Sequence, residues 1–406
     1  MTESVTRTTT NILVANISKN LALFAVLIII PRVFGAADFG AFSLALAITT
    51  PFFAFALIGA RVLRLTAPTS LSTKSIEISL IYSGLFALVC SALFGLVFIP
   101  DASKDSAIFV LFSAVIAVGL YKWGDLFTEL YAGELQLSSN TNKLLIVSAI
   151  SGGTLVLVSF VIASFQLQFH ILLLGIAVSG LLSSLFFSYV SRIYRTQGLF
   201  EPKEALRLGI PLGLAGAIGT LMSSTPQYFV AASYGPEMVG ILAVILYVFS
   251  LADLFGGAYS QAWIHKIKEH STPHQQLVYS IKVGVFSSLS FIPISIIGVW
   301  LFSVFAPFVF GARFTLNISE AIPLVIAISL LPLGHLVSIA LLVRIAYKQS
   351  LAFMSLSAFS VVIISLLAIP TMGISGALWA VATGIAVRVG APLVYYRSLL
   401  MTGGEN

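Results

Sequence analysis

Residues 21–42 have the sequence LALFAVLIIIPRVFGAADFGAF, in which an apolar run ends at Pro31 and is followed by a glycine-containing turn. A second apolar segment begins at Gly40. A helix needs about 20 largely apolar residues to cross a bilayer. The segment therefore predicts the end of one membrane-spanning helix, a short turn and the start of the next. We interpret the first apolar run as an uncleaved helix rather than a signal peptide.

The whole chain shares this apolar character. Of its 406 residues, 58% are hydrophobic and 9% are charged, and the mean hydropathy is +1.05. Soluble domains have about 25% charged residues, so this composition excludes a soluble enzyme, a fibrous protein and a disordered chain. The single cysteine, Cys90, excludes an intrachain disulfide and a cysteine-based metal site. A multi-span membrane protein remains.

Windows of about 20 residues predict an all-α polytopic membrane protein with twelve transmembrane helices. The predicted spans are residues 12–33, 40–60, 78–99, 107–130, 144–165, 170–190, 208–232, 238–262, 277–303, 319–343, 350–369 and 373–396. Gly209 and Gly213 in the seventh span have the spacing that permits close helix packing. The connections are too short to hold an extramembrane catalytic domain.

The distribution of Lys and Arg predicts the orientation of the chain. When the amino terminus is placed in the cytoplasm, 15 of the 21 basic residues fall on the inner side. The others are Arg32, Lys104 and Arg313 on the outer side, and Lys122, Lys282 and Arg388 within spans. Because cytoplasmic loops are enriched in Lys and Arg, both termini are predicted to be cytoplasmic. The net charge of +6 is a topology signal, and nucleic acid is not predicted as a partner.

The turn after the first span has a counterpart 200 residues later in the chain. FGAADFGAF at residues 34–42 resembles YGPEMVGIL at residues 234–242 in its aromatic residue and its two glycines. Each copy joins an odd-numbered span to the next span, so the repeat is parallel and predicts two six-helix lobes around a central cavity. The predicted lobes are residues 1–195 and 208–406, joined by a cytoplasmic linker at 196–207. Two unrelated glycine turns are the alternative.

Motifs that signal enzyme chemistry are missing from the sequence. It contains no His-Glu-x-x-His motif, Walker glycine loop, Gly-x-Ser-x-Gly elbow or Cys/His ligand spacing. Metal catalysis and ATP hydrolysis are therefore not expected. We predict no catalytic residue, no metal site and no cofactor, and the chain is not expected to be an enzyme.

Ionisable residues inside the predicted spans are the main functional candidates, because charges are costly in hydrocarbon and usually face a wet cavity or a partner. Lys122, Asp253, His335 and Arg388 each lie about 15 residues from the outer end of a span, which gives them a similar depth. They are predicted to form one polar layer in the cytoplasmic half of the membrane. The alternatives are snorkelling of the two basic residues and simple helix packing by the other two.

The fourth span also has a polar face. Lys122, Asp125 and Glu129 follow an i, i+3, i+7 spacing, so Lys122 is predicted to pair with Asp125. Gln227 adds polarity to the seventh span. The candidate residues of a substrate-binding cavity are Lys122, Arg388, Asp125, Asp253, His335 and Gln227.

Several turn motifs resemble those of the polysaccharide transporters of the multidrug/oligosaccharidyl-lipid/polysaccharide (MOP) flippase superfamily, which include the O-antigen flippases. The motifs are short and spread over nearly the whole chain. They are RVFG at residues 32–35 with DFG at 38–40, Gly235 with VGIL at 239–242, FVFGARF at 308–314 and GISGA at 373–377. The resemblance implies two six-helix lobes around a central cavity, in agreement with the repeat.

The resemblance also implies a function. Such a flippase translocates a polyprenyl-pyrophosphate-linked oligosaccharide repeat unit, for O-antigen, capsule or exopolysaccharide, across the bacterial inner membrane by alternating access. Its expected partners are membrane lipid and the lipid-linked oligosaccharide, together with polysaccharide polymerase and chain-length proteins. A pyrophosphate needs cationic partners in a cavity. Lys122 and Arg388, with Lys282 or Arg61, are the candidates for that role.

Two other functions are left open. A cation-coupled multidrug exporter of the same superfamily usually depends on an acidic residue in the amino-terminal helices or helix seven. The predicted spans one, two and seven contain no Asp or Glu, so Asp253 or the acids of the fourth span would have to substitute. The third candidate is a polytopic scaffold that assembles polysaccharide enzymes. In such a scaffold, water would not reach the ionisable layer.

Overall fold

The computed structural model describes residues 2–66, 71–97, 105–263, 266–267, 269–270, 272–311, 314–343 and 347–401. Helices joined by short connections make up these ranges, which contain no β-strand. An isolated parallel bridge joins Leu71 to Leu199. Lys104, Ala312 and Arg313, which the sequence analysis used, lie outside the described residues.

We label the α-helices in chain order. They are α1 (Thr2–Val33), α2 (Ala36–Ala56), α3 (Ala60–Thr66), α4 (Thr73–Leu96), α5 (Asp105–Leu137), α6 (Thr141–Ser164), α7 (Phe169–Ser191), α8 (Pro202–Tyr234), α9 (Pro236–Ala262), α10 (Pro273–Phe310), α11 (Ile318–Val343), α12 (Tyr347–Met372) and α13 (Ile374–Met401). All except the seven-residue α3 are long and apolar enough to cross a membrane, which makes twelve candidate spans in the described part of the chain. The all-α polytopic fold and its twelve spans, predicted from hydrophobic length, are confirmed.

Most of the helices begin earlier than the predicted spans, and in α2 and α8 the additional turn holds an acidic residue. Helix α2 starts at Ala36 and α8 at Pro202, so Asp38 and Glu204 lie in their first turns. The expectation that spans two and seven carry no acidic residue is therefore wrong for the full helices. The positive end of the helix dipole favours acidic side chains in this position, outside the apolar segment that defines a span in the sequence.

Glycines with positive φ follow the odd-numbered spans one, seven, nine and eleven. They are Gly35 (φ 90°), Gly235 (83°), Gly311 (109°) and Gly373 (56°). Residues with a Cβ atom rarely adopt this backbone conformation, so glycine allows the chain to turn at once into the next helix. Phe39 and Val239, which occupy the same position in the two copies of the repeat, are both fully buried. The repeated motif therefore has the same local structure in both places.

The chain divides into two compact units, Met1–Thr220 and Leu221–Asn406. In the first unit α5 is central and packs on α2, α3, α4 and α7. In the second unit α11 is central and packs on α9, α10 and α13. Helices α5 and α11 contain the fourth and tenth spans, so they hold equivalent places in the predicted repeat. The predicted lobe boundaries at residues 195 and 208 stay a prediction.

Helix α8 packs closely on the end of α2 within the first unit. A Cβ atom added to Gly213 would lie 2.3 Å from the carbonyl oxygen of Phe55, and one added to Gly209 would lie 2.6 Å from the Cβ of Ile58. Small residues allow two backbones to approach this closely. The close packing predicted for these two glycines is confirmed.

A buried ion pair attaches the connection between α7 and α8 to the first unit. Arg64 Nε lies 2.7 Å from Glu134 Oε1, and the two side chains are 2% and 0% exposed. Glu134 also accepts hydrogen bonds from the hydroxyls of Thr73 (2.5 Å) and Thr196 (3.4 Å). Because Thr196 belongs to the connection, the predicted linker is held against α4 and α5 where it leaves α7.

Candidate functional site

The first unit contains a cluster of ionisable side chains on α1, α3 and α5, which we call the N-terminal cluster and define as Lys19, Arg61, Asp125 and Glu129. Lys19 forms an ion pair with Asp125, and its Nζ lies 3.2 Å from Glu129 Oε1. Lys19 also donates a hydrogen bond of 3.2 Å to the hydroxyl of Thr128. A lysine in the middle of an apolar helix is thus neutralised by two carboxylates one turn apart on α5.

Arg61 extends the cluster from the short helix α3. Its Nη1 lies 3.6 Å from Glu129 Oε2 and donates a hydrogen bond of 3.1 Å to Asn16 Oδ1. Its Nε donates to Gln136 Oε1 at 3.1 Å. The remaining nitrogen, Nη2, is buried and has no hydrogen-bond acceptor among the described residues. Arg61 therefore keeps one donor for a ligand.

A small pocket adjoins this cluster. Its wall is mostly apolar but includes five residues with hydroxyl groups, and the buried Ser151 hydroxyl has no hydrogen-bond partner among the described residues. The lining includes Lys19, Tyr121, Asp125, Thr128, Ser148 and Ser151. The charged and hydroxyl groups within this wall can bind polar groups of a ligand, whereas lipid tails would leave them unsatisfied.

Lys122 lies one residue from Tyr121 in the same helix and is half-buried. The structure pairs Asp125 with Lys19 instead of Lys122, so the predicted pair on α5 is replaced by an interhelical pair. Within the described residues, Lys122 has no hydrogen-bond or ion-pair partner. Three cations, Lys19, Arg61 and Lys122, therefore lie around two carboxylates in this part of the first unit.

The second unit brings together three of the predicted candidates in what we call the C-terminal cluster, defined as Asp253 on α9, His335 on α11 and Arg388 on α13. His335 Nε2 lies 2.8 Å from Asp253 Oδ1. Arg388 is attracted electrostatically by Asp253, and its Nη2 donates a hydrogen bond of 3.3 Å to the hydroxyl of Ser338. The buried Nε of Arg388 has no acceptor in the described part of the chain.

Two glycines of α9 make room for the imidazole ring. A Cβ atom added to Gly256 would lie 3.0 Å from His335 Cδ2, and one added to Gly257 would lie 3.8 Å from His335 Cε1. Asp253 lies one turn earlier on the same helix. Helix α9 therefore provides both the carboxylate that bonds the ring and the space that the ring occupies.

Gln227, the remaining candidate, donates a hydrogen bond of 3.3 Å to the carbonyl oxygen of Ser223 in its own helix. Lys282 on α10 is exposed. Lys19 was missed as a site residue because it was assigned to the cytoplasmic side by charge counting. Its spacing from Asn16, three residues earlier, is the signal that could have identified a polar face on α1.

Comparisons with known proteins agree with this architecture. No family model matches the chain. The capsular polysaccharide biosynthesis protein CapF of Staphylococcus aureus is 24% identical over 378 residues, which cover 90% of this chain and 92% of that protein. The chain therefore has a full-length relative in sequence.

Solved structures show the same fold. The lipid II flippase MurJ in an inward closed conformation aligns with a TM-score of 0.75 and 16% identity, over 96% of this chain and 87% of that chain. An outward-facing multidrug resistance transporter of the MATE family aligns with a TM-score of 0.60 and 16% identity, over 99% of this chain and 96% of that chain. At these identities the likeness concerns the fold.

The twelve candidate spans define a polytopic membrane protein, and its fold is one that solved transporters also have. The resemblance predicted from the turn motifs is confirmed: the chain is similar in sequence to a capsular polysaccharide biosynthesis protein and has the fold of solved MOP superfamily proteins.

Proposed function

We propose that the chain is a flippase that translocates a polyprenyl-pyrophosphate-linked oligosaccharide across the bacterial inner membrane by alternating access, with both termini in the cytoplasm. The capsular polysaccharide relative and the fold shared with MurJ support this reading. Polysaccharide polymerase and chain-length proteins would be its partners, and the protein itself would carry out no covalent chemistry.

The main support for the proposal is that three cations, Lys19, Arg61 and Lys122, lie around two carboxylates in the first unit. Lys19 and Arg61 share the carboxylates of Asp125 and Glu129, and Lys122 is left without a described partner. A pyrophosphate carries several charged oxygens that accept strong hydrogen bonds from ammonium and guanidinium groups. Lys122 and the free donor of Arg61 are suited to bind it.

The other predicted cavity residues have roles in the same proposal. Arg388 would provide a further cation, and Asp253, itself hydrogen-bonded to His335, would attract it. Asp125 would keep Lys19 in position, and Gln227 would offer a hydrogen bond to a sugar hydroxyl. The hydroxyl groups around the pocket would contact further sugars.

A cation-coupled multidrug exporter is the second candidate. The fold shared with the MATE transporter supports it. Carboxylates inside spans, Asp125, Glu129 and Asp253, would then bind the coupling cation. Each of these carboxylates already has a cationic or imidazole partner in the structure, which favours the flippase.

The experiment that tests the proposal is deletion of the gene in its own host. The lipid-linked oligosaccharide of the inner leaflet and the surface polysaccharide are then measured together. We expect the lipid-linked intermediate to accumulate and the surface polymer to be lost, and the wild-type gene to restore both. Normal levels of both in a host without a second flippase gene would contradict the proposal and favour drug export.

Two variants locate the cations in the same host. Lys122→Ala and Arg388→Ala should each lower export at least tenfold while the protein stays inserted. Each variant removes a cation that would bind the pyrophosphate and that has no carboxylate within ion-pair distance among the described residues. Arg32→Ala, which removes an exposed cation at the end of α1, is the control and should export normally. Unchanged export in both cavity variants would exclude these two residues from the site.

A further inference from the structure

The connection between α7 and α8 presents exposed cations beside exposed apolar side chains on the first unit. We call this surface the basic platform. It consists of Lys74 on α4, Lys143 on α6, Arg192, Leu199 and Phe200 in the connection, and Lys203 at the start of α8. None of these residues belongs to the N-terminal cluster or lines its pocket.

Backbone hydrogen bonds hold the platform in a defined shape. The amide of Thr73 donates to the carbonyl oxygen of Thr196 at 3.2 Å, and that of Ser72 donates to Leu199 at 3.2 Å. The hydroxyl of Ser75 donates to the Leu199 carbonyl at 3.1 Å and accepts from the amide of Glu201 at 2.8 Å. Together with the buried Arg64–Glu134 pair, these bonds make the connection a fixed surface instead of a loose tether.

The charges of the platform are mostly uncompensated. Nearby arginines are paired, since Arg195 lies 3.3 Å from Glu77 and Arg207 lies 3.7 Å from Glu204. In contrast, Lys74, Lys143, Arg192 and Lys203 have no carboxylate within ion-pair distance among the described residues. Glu201 is the acidic residue that remains unpaired in the described part of this surface. The exposed surface of the platform therefore carries more positive than negative charge.

Apolar side chains lie between these cations. Leu199 and Phe200 are 62% and 57% exposed, and Lys74 Nζ lies 6.0 Å from the centre of the Phe200 ring. Lys143 lies over the ring of Tyr194 at 5.0 Å. Exposed aromatic and aliphatic groups flanked by Lys and Arg are typical of surfaces that lie in the headgroup region of a membrane.

The position of the platform fits that region. It lies where the spans of α4, α6 and α8 begin and where that of α7 ends, so it is at the edge of the apolar part of the first unit. Anionic phospholipid headgroups attract cations at this level, and acyl chains accept apolar side chains beside them. We propose that the basic platform is a binding site for the headgroups of anionic phospholipids, independent of the transported substrate.

The test uses the purified full-length protein in neutral detergent. It is titrated with dioleoylphosphatidylglycerol and, separately, with dioleoylphosphatidylcholine, and retained lipid is counted by native mass spectrometry. We expect the wild-type protein to retain the anionic lipid preferentially. Lys74→Gln, Arg192→Gln and Lys203→Gln should each lower that preference about two- to fivefold, because each cation near a surface contributes about that factor. All three substitutions are at exposed positions, and circular dichroism and gel filtration verify folding.

Two control variants make the result specific. Arg32→Gln removes one exposed cation at the C-terminal end of α1, which is not part of the platform, and should leave the preference unchanged. Leu199→Ser keeps every charge, so it should weaken retention of both lipids while preserving the discrimination between headgroups. The first control shows whether the loss of any exposed cation has the same effect. The second distinguishes recognition of the headgroup from apolar contact with the lipid.

Several results would overturn the proposal. Equal retention of the two lipids by the wild-type protein would mean that the platform faces water or a protein partner. If a triple variant that lacks Lys74, Arg192 and Lys203 prefers the anionic lipid as strongly as the wild-type protein does, the lipid binds elsewhere. Displacement of the lipid by inorganic phosphate at equal concentration would identify a free-phosphate site instead. None of these measurements depends on whether the protein transports an oligosaccharide.

Discussion

The N-terminal and C-terminal clusters lie on equivalent central helices, α5 and α11, but their charges differ. The N-terminal cluster pairs two permanent cations with two carboxylates, and Lys122 lies beside it. The C-terminal cluster has one carboxylate, one arginine and one histidine, and the histidine is hydrogen-bonded to the carboxylate. The central helix of each unit therefore carries polar groups, and the side chains around it differ between the two units.

The two units also differ in how their ionisable groups are buried. The first contains the fully buried Arg64–Glu134 pair, whereas no ion pair in the described part of the second is buried to this extent. His335 and Asp253 are 17% and 44% exposed. Burial decides how much each group matters for stability, because a charge left alone in a low-dielectric interior costs far more than one at a wet surface.

The largest effect that we predict is on the buried pair of the first unit. Glu134→Gln should lower the free energy of unfolding by about 3–5 kcal/mol, because it leaves the Arg64 guanidinium buried without a counter-charge. Unfolding by dodecyl sulfate in mixed micelles measures it. Glu204→Gln, which breaks the exposed pair with Arg207, is the control and should cost less than about 1 kcal/mol. If the two variants lower the free energy of unfolding equally, burial does not determine how much these ion pairs contribute to stability.

A smaller effect is expected in the C-terminal cluster. His335→Leu should destabilise the protein by about 1–2 kcal/mol, because it removes the hydrogen bond to Asp253 and leaves the carboxylate without that partner. His335→Gln retains a donor and should recover part of the loss. The same unfolding assay applies, and Lys282→Gln at an exposed site on α10 is the control. Identical results for Leu and Gln would mean that the hydrogen bond makes no contribution.

The smallest effect should come from the partly exposed ion pair between Lys19 and Asp125 in the N-terminal cluster. A double-mutant cycle of Lys19→Met and Asp125→Asn should give a coupling energy of about 0.5–1 kcal/mol, since both side chains are about one-third exposed and solvent weakens their attraction. The cycle is repeated with Lys122→Met in place of Lys19→Met. A larger coupling for Lys122 would show that Asp125 pairs along α5, as the sequence spacing predicts, rather than across to α1.

Much of the fold could be predicted from the sequence because its signals are local. A run of about 20 apolar residues has few alternatives to a membrane-spanning helix, since every backbone polar group must be satisfied within the segment. The turn at Gly35 and its copy at Gly235 could be predicted for a similar reason, because glycine permits a backbone conformation that other residues avoid. The ends of helices were less predictable, as the first turn of α2 with Asp38 illustrates.

The candidate sites were only partly predictable. Equal spacing from the span ends grouped Asp253, His335 and Arg388, and the structure brings these three together on α9, α11 and α13. Helical spacing alone predicted the wrong partner for Asp125. Lys19 lies more than a hundred residues from Asp125 in the chain, so their ion pair depends on how α1 is rotated against α5, which local spacing does not contain.

By itself the sequence determined that this protein is a twelve-span helical membrane protein with repeated glycine turns, because hydrophobic length and glycine conformation act within a few turns of one helix. The tertiary structure decided which charges neutralise each other, that Lys122 has no ion-pair partner among the described residues, and that the connection after α7 is a fixed basic surface. Those outcomes depend on distances between side chains from separate helices, and electrostatic energies change steeply over such distances.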